Sequence, residues 1–114
     1  MEQIVVCIPA YNPKRALIWL LEQLTEHPFH RIVIVNDGSN INADTVFEEA
    51  ARFENVDILR LEQNRGKGKA IKTGLQYIMK NIPAVKGVLT CGADGQHHIE
   101  DILKVATTSR IFVD

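Results

Sequence analysis

The chain has 114 residues, 46% of them hydrophobic and 24% charged, with a formal net charge of −1. That length suits one globular domain, and the near-neutral balance argues against bulk attraction to nucleic acid or anionic lipid. No apolar run approaches the roughly 20 residues that span a bilayer.

In chain order, Ile4-Val5-Val6-Cys7-Ile8 is a continuous, mostly β-branched run stopped by Pro9, the pattern of a strand buried on both faces. Leu17, Leu20, Leu21 and Leu24 then recur at helical spacing and predict an amphipathic helix. Arg31-Ile32-Val33-Ile34-Val35 reads as a second strand, ended by Asn36-Asp37-Gly38-Ser39. Asn42 is the expected cap of a second helix with Val46, Phe47 and Ala50 as its apolar positions. Val56–Leu61 predicts a third strand. After a polar loop, a third helix carries Ile71, Leu75, Ile78 and Met79 on one face. Gly87-Val88-Leu89-Thr90-Cys91 is a fourth strand, and Ile99, Ile102, Leu103 and Ala106 mark a fourth helix. Arg110-Ile111-Phe112-Val113-Asp114 opens a fifth strand, whose apolar edge is expected to pair with another chain as a homodimer.

Strands alternating with helices imply an α/β, Rossmann-like, three-layer domain: a parallel sheet of four to five strands with helices on both faces. Every strand-to-helix loop then emerges at one edge, where open α/β sheets bind ligands. Those loops are also the most polar and glycine-rich stretches of the chain, which marks that edge as the site.

Each loop carries chemistry and a plainer alternative. Asp94 and Gln96 offer oxygens to a hard divalent cation, yet a loop aspartate also caps helices. Asp37 either accepts hydrogen bonds from a ligand or simply forms an Asp-Gly turn. Tyr11 either packs on a nucleobase or covers the end of the core. Arg65-Gly66-Lys67-Gly68-Lys69 is not a phosphate loop, because Ile71 stands where both glycine fingerprints need their last glycine. A basic segment opening a helix can still meet a diphosphate, through Lys67 and backbone N–H groups, or can be a solvated charge run. His97 and His98 lack a third soft ligand and read as surface residues. Cys7 and Cys91 read as buried reduced thiols, and with no leader-like start the expected location is cytoplasmic.

Taken in order, Val6-Cys7-Ile8-Pro9-Ala10-Tyr11-Asn12, Ile34-Val35-Asn36-Asp37-Gly38-Ser39, Asn64-Arg65-Gly66-Lys67-Gly68 and Gly92-Ala93-Asp94-Gly95-Gln96-His97 resemble the family-2 glycosyltransferases. The last block looks most like the dolichol- and polyprenol-phosphate sugar transferases. The resemblance implies that residues 1–114 form the nucleotide-sugar-binding half of a glycosyltransferase A-type fold. Pro9, Ala10 and Tyr11 would line the nucleoside pocket, Val35 and Asp37 would contact the base, and Ala93 and Asp94 would sit at the diphosphate. Asp94 and Gln96 would hold Mg²⁺ or Mn²⁺. The implied reaction is inverting, metal-assisted transfer from a UDP- or GDP-sugar to a polyprenol phosphate or glycan held by a C-terminal half beyond Asp114. The parent enzyme would work at the cytoplasmic face of a membrane. The chain departs from the family at Gly92, where an Asp-x-Asp motif has its first aspartate, at Pro13, where an acid is usual, and at Asn36. No residue matches the family's catalytic base, so a second reading is a nucleotide-binding module without transferase activity.

Overall fold

The computed structural model describes residues 2–94. Four strands, β1 (Ile4–Ala10), β2 (Arg31–Asp37), β3 (Val56–Leu61) and β4 (Gly87–Thr90), alternate with helices α1 (Arg15–Leu24), α2 (Asp44–Ala50) and α3 (Lys67–Asn81). The strands form one parallel sheet in the order β3-β2-β1-β4. The chain steps outward from β1 to β2 and β3, then returns across β1 to lay β4 on its other side. This is the expected Rossmann-like, three-layer arrangement.

The β-branched strands are buried on both faces, and successive residues divide between two cores. Ile4, Val6, Ile8, Ala10, Ile32 and Ile34 pack with Leu17, Leu21 and Leu24 of α1 and Phe47 and Ala50 of α2. Val5, Cys7, Val33 and Val35 face Ala70 and Ile78 of α3. Complete burial of each such aliphatic side chain contributes about 1.5–3 kcal/mol relative to exposure. The leucine stripe of α1 is buried throughout, as its spacing predicts. Among the described residues no helix is long and apolar enough to cross a membrane.

Local expectations fail in three places. Strand β2 runs two residues past Val35, with Asn36 opposite Arg60 and Asp37 opposite Leu61, because the backbone ladder continues even though the side chains are polar. Asn42 does not cap α2, whose N-cap position is Ala43 with no side-chain bond; instead Asn40 Oδ1 accepts from Asn42 N–H at 2.9 Å and caps a 3₁₀ turn over Ile41–Ala43 that leads into α2. Met79 is 85% exposed, and the buried face of α3 is Ala70, Ile71, Gly74 and Ile78. The expected Ile71 and Ile78 are on that face, but Ala70 and Gly74 take the places expected for the larger Leu75 and Met79, because α3 lies close on the sheet. The expected fourth helix and the strand at Arg110, with its dimer edge, lie outside the described residues.

A Cβ at Gly74 would lie 2.5 Å from Cys7 Sγ and 3.1 Å from Val35 Cγ2. Overpacking costs about 1–3 kcal/mol. It is opposed by a helix-propensity gain of about 1 kcal/mol for alanine. Gly74→Ala is therefore expected to lower stability in urea unfolding by up to about 2 kcal/mol. In a Cys7→Ala background the same change should cost close to nothing, since the offending sulfur is gone. Equal costs in both backgrounds would rule out the clash.

Candidate functional site

Because β2 and β4 leave β1 in opposite directions, a crevice opens at the carboxyl edge of the sheet where the strand order reverses. A cavity of about 550 Å³ occupies this position. Pro9, Ala10 and Tyr11 line it from the end of β1, and Asp37 from the end of β2. Lys67 lines it from the start of α3, and Ala93 and Asp94 from the loop after β4. Seven residues singled out from the sequence, drawn from all four strand-end loops, thus meet at one cavity. Val35 does not join them. It is fully buried beneath α3, two residues short of the edge on the strand face that Asp37 shares. Gln96, His97 and His98 lie outside the described residues.

Alternation along β2 sends its last two side chains to opposite faces, and each holds a different wall of the cavity. Asn36 Oδ1 accepts from Ser39 N–H at 3.0 Å, Ser39 Oγ accepts from Asn12 N–H at 2.8 Å, and Asn12 Oδ1 accepts from Asn40 N–H at 2.9 Å. This chain of bonds fixes the segment after β1 and keeps Asn12 at a φ of 46°, a left-handed conformation that asparagine tolerates. Asp37, on the other face, is only 3% exposed. Its Oδ1 accepts from Arg65 N–H at 2.7 Å, and its Oδ2 accepts from Gly66 N–H at 3.0 Å and Asn64 Nδ2 at 3.2 Å. Asp37 is thus more than a turn former: it anchors the loop that delivers Lys67 to the cavity. A carboxylate has about four acceptor positions, so one is left for a ligand donor. Asn12, Asn36, Ser39 and Asn64 were given no site role from the sequence, although Asn and Ser at strand ends favour such bonds to backbone.

Tyr11 lines the cavity with more than half its surface exposed, so it does not cover the core. Lys67 and the exposed Asp94 bring charges of both signs to the wall formed by α3 and the β4 loop. A Cβ at Gly92 would lie 3.3 Å from Asp94 Oδ1, so an acid at this position would stand directly against Asp94. Among the described residues no three His, Cys, Asp or Glu side chains form a metal cluster. Both cysteines are free and buried. Burial pushes the Cys7 thiol up to about 11, and burial first, then nearby Cys7 and Asp94, pushes Cys91 up to about 12 against the opposing pull of Lys67. Both are unreactive thiols at neutral pH.

The family model for glycosyl transferase family 2 matches residues 5–109. A dolichyl-phosphate β-glucosyltransferase of Trichomonas vaginalis is 35% identical over 105 residues, covering 82% of this chain and 31% of that protein. A UDP-N-acetylglucosamine–dolichyl-phosphate N-acetylglucosaminyltransferase of Methanococcus voltae is 33% identical over 115 residues, covering 90% of this chain and 45% of that protein. The chain spans less than half the length of these relatives. The fold is similar to the crystal structure of S. aureus TarS 1-349, with a TM-score of 0.65 at 24% identity over 81% of this chain and 27% of that one. The order of the strand-end blocks, their convergence on one cavity and a family match over nearly the whole chain agree: this protein belongs to glycosyl transferase family 2, in the branch that includes the dolichyl- and polyprenol-phosphate sugar transferases.

Proposed function

We propose that this chain forms the donor-binding half of a glycosyltransferase that moves a sugar from a UDP- or GDP-sugar to a polyprenol phosphate. The observation that carries this reading is the meeting of four strand-end loops at one cavity beside β1. The Tyr11 ring offers a face to the nucleobase. The acceptor position left on Asp37 suits the imino N–H of uracil or guanine, a donor that adenine lacks. Lys67 and the N-terminus of α3 meet the negative diphosphate. Transfer would be a single displacement: the acceptor oxygen bonds to the anomeric carbon from one face as the bond to the diphosphate breaks on the other, inverting the centre.

Mg²⁺ or Mn²⁺ fits this donor set only as an ion shared with the substrate. Asp94 contributes one carboxylate, with Gln96 as the further candidate, and the remaining oxygens come from the diphosphate. When bound, such an ion neutralises the charge that develops on the departing diphosphate. The second reading, a nucleotide-binding module without turnover, is favoured by Gly92 in the place of the family's first metal-loop aspartate. A cytoplasmic location rests on the two reduced thiols, and a homodimer on the strand expected at Arg110, which light scattering tests.

Calorimetry with UDP, GDP and ADP tests the donor assignment. UDP or GDP should bind more tightly than ADP, and equal or tighter ADP binding would count against the base contact. Mn²⁺ and the preferred nucleotide should strengthen each other's binding by about 1–3 kcal/mol. Asp94→Ala should abolish that coupling, and Gly92→Asp should tighten the metal. If Mn²⁺ leaves nucleotide affinity unchanged, Asp94 serves only as a cap. Release of nucleoside diphosphate from UDP-glucose or GDP-mannose, with and without polyprenol phosphate, separates the two readings.

A further inference from the structure

The net charge of −1 conceals a strong segregation of charge by the fold. Between Asp57 and Asp94 the sequence carries seven basic residues and one acid, Glu62. Helix α3 holds four of those lysines and no acidic residue. At roughly 3.6 residues per turn, Lys69, Lys72, Gln76, Met79 and Lys80 share the face opposite its buried stripe, and all five are exposed. Neither Arg15–Glu49 nor Arg31–Asp57 involves Lys69, Lys72 or Lys80. On the far side of the sheet, the α1–α2 layer presents Glu22, Glu26 and Glu48 to solvent. Among the described residues the α3 face is basic, while on the α1–α2 side acids outnumber the exposed bases Lys14, Arg15 and Arg52.

We infer that the outward face of α3 docks on an anionic phospholipid surface. Three lysines on one helix face with no interspersed acid are complementary to a sheet of negative headgroups, and each contributes about 1 kcal/mol near such a surface. Met79 supplies what a purely electrostatic, nucleic-acid-type face would not need: a flexible apolar side chain, 85% exposed, amid the lysines and able to enter the headgroup region. The placement also suits the chemistry. Gly66 and Lys67, at the start of α3, form part of the donor cavity's wall, so a bilayer lying against this helix has the cavity beside it. An acceptor carried on a polyprenol in that bilayer would then need no long excursion from the membrane. The docking surface extends the proposed donor role, but it involves no nucleotide, so its test and that of the donor site fail separately.

The test is co-sedimentation of the 114-residue chain with phosphatidylcholine vesicles with and without phosphatidylglycerol. The chain should partition onto the anionic vesicles only, and raised salt should release it. Lys72→Gln/Lys80→Gln should weaken partitioning roughly 30-fold. Both positions are exposed, beyond the first turn of α3 and outside the donor site, so thermal melting and UDP affinity should match the original protein. Lys72→Glu and Arg52→Glu change the net charge equally on opposite faces. The first should lose roughly tenfold or more in partitioning, and the second should lose little. Met79→Ala should weaken vesicle binding several-fold. Equal partitioning onto neutral and anionic vesicles, or equal losses from Lys72→Glu and Arg52→Glu, would overturn the inference. So would tighter binding of a duplex DNA or RNA oligonucleotide than of anionic vesicles at the same salt, which would mark the face as a nucleic-acid surface.

Discussion

Gly38→Ala is expected to cost about 4 kcal/mol or more and to abolish nucleotide binding with it. Gly38 has a φ of +66°, a left-handed conformation that costs alanine about 1 kcal/mol. Steric overlap costs more. A Cβ there would lie 2.2 Å from both Asn64 N and Gln63 C and 2.8 Å from Gln63 Cα. These are backbone atoms, so no side-chain rotation relieves the overlap, and the loop before α3 must move. That shift would pull Arg65 and Gly66 off the Asp37 carboxylate and carry Lys67 away from the cavity. Against a total stability of about 5–15 kcal/mol for a domain, the variant should be marginal. Urea unfolding measures the loss. A midpoint close to that of the original protein would mean that the β2 turn and the α3 loop are not in contact.

Asp37→Ala should act on stability and on binding together. It leaves the backbone N–H groups of Arg65 and Gly66 without their acceptor, at about 1–3 kcal/mol for each. Both are only partly buried, so water offsets some of this, and about 2–4 kcal/mol in total is the expected loss. UDP or GDP affinity should fall by about 1.5–3 kcal/mol if the carboxylate also accepts from the base. Asp37→Asn separates the two roles. Its amide oxygen can keep one backbone bond, while its NH₂ meets donors where the wild-type oxygen accepted. If Asp37 only holds the loop, stability and affinity should recover in parallel. If it also reads the base, affinity should stay low after stability has partly returned. Unfolding curves and calorimetry on the same samples make the comparison. An Asp37→Ala protein as stable as the original would remove the loop-anchoring role.

Much of the frame was legible from local spacing. The leucine stripe of α1 and the β-branched runs of β1 and β2 each encode their burial within a few residues, so periodicity is enough to find them. Local spacing misled where packing distance mattered. Met79 has the right hydrophobicity for the core, but Gly74 and Ala70 allow α3 to approach the sheet, and that approach turns Met79 outward. Val35 stands beside Asp37 in the motif yet lies beneath a helix, because depth along a strand cannot be read from order in sequence. The net charge likewise gave no hint of a basic face, since that face exists only once α3 is separated from α1 and α2 by the sheet.

The amino-acid sequence by itself determined the order of strands and helices, the single edge at which the polar loops emerge, and the family to which those loops belong. These depend on residues close along the chain. Tertiary structure alone decided that β4 lies on the far side of β1, opening the crevice, and that the end of β2 ties both neighbouring loops. The partners in those ties are 27 to 29 residues apart. Parallel register brings them within hydrogen-bonding distance, and no local pattern records it, because backbone N–H groups are donors whatever side chain they carry.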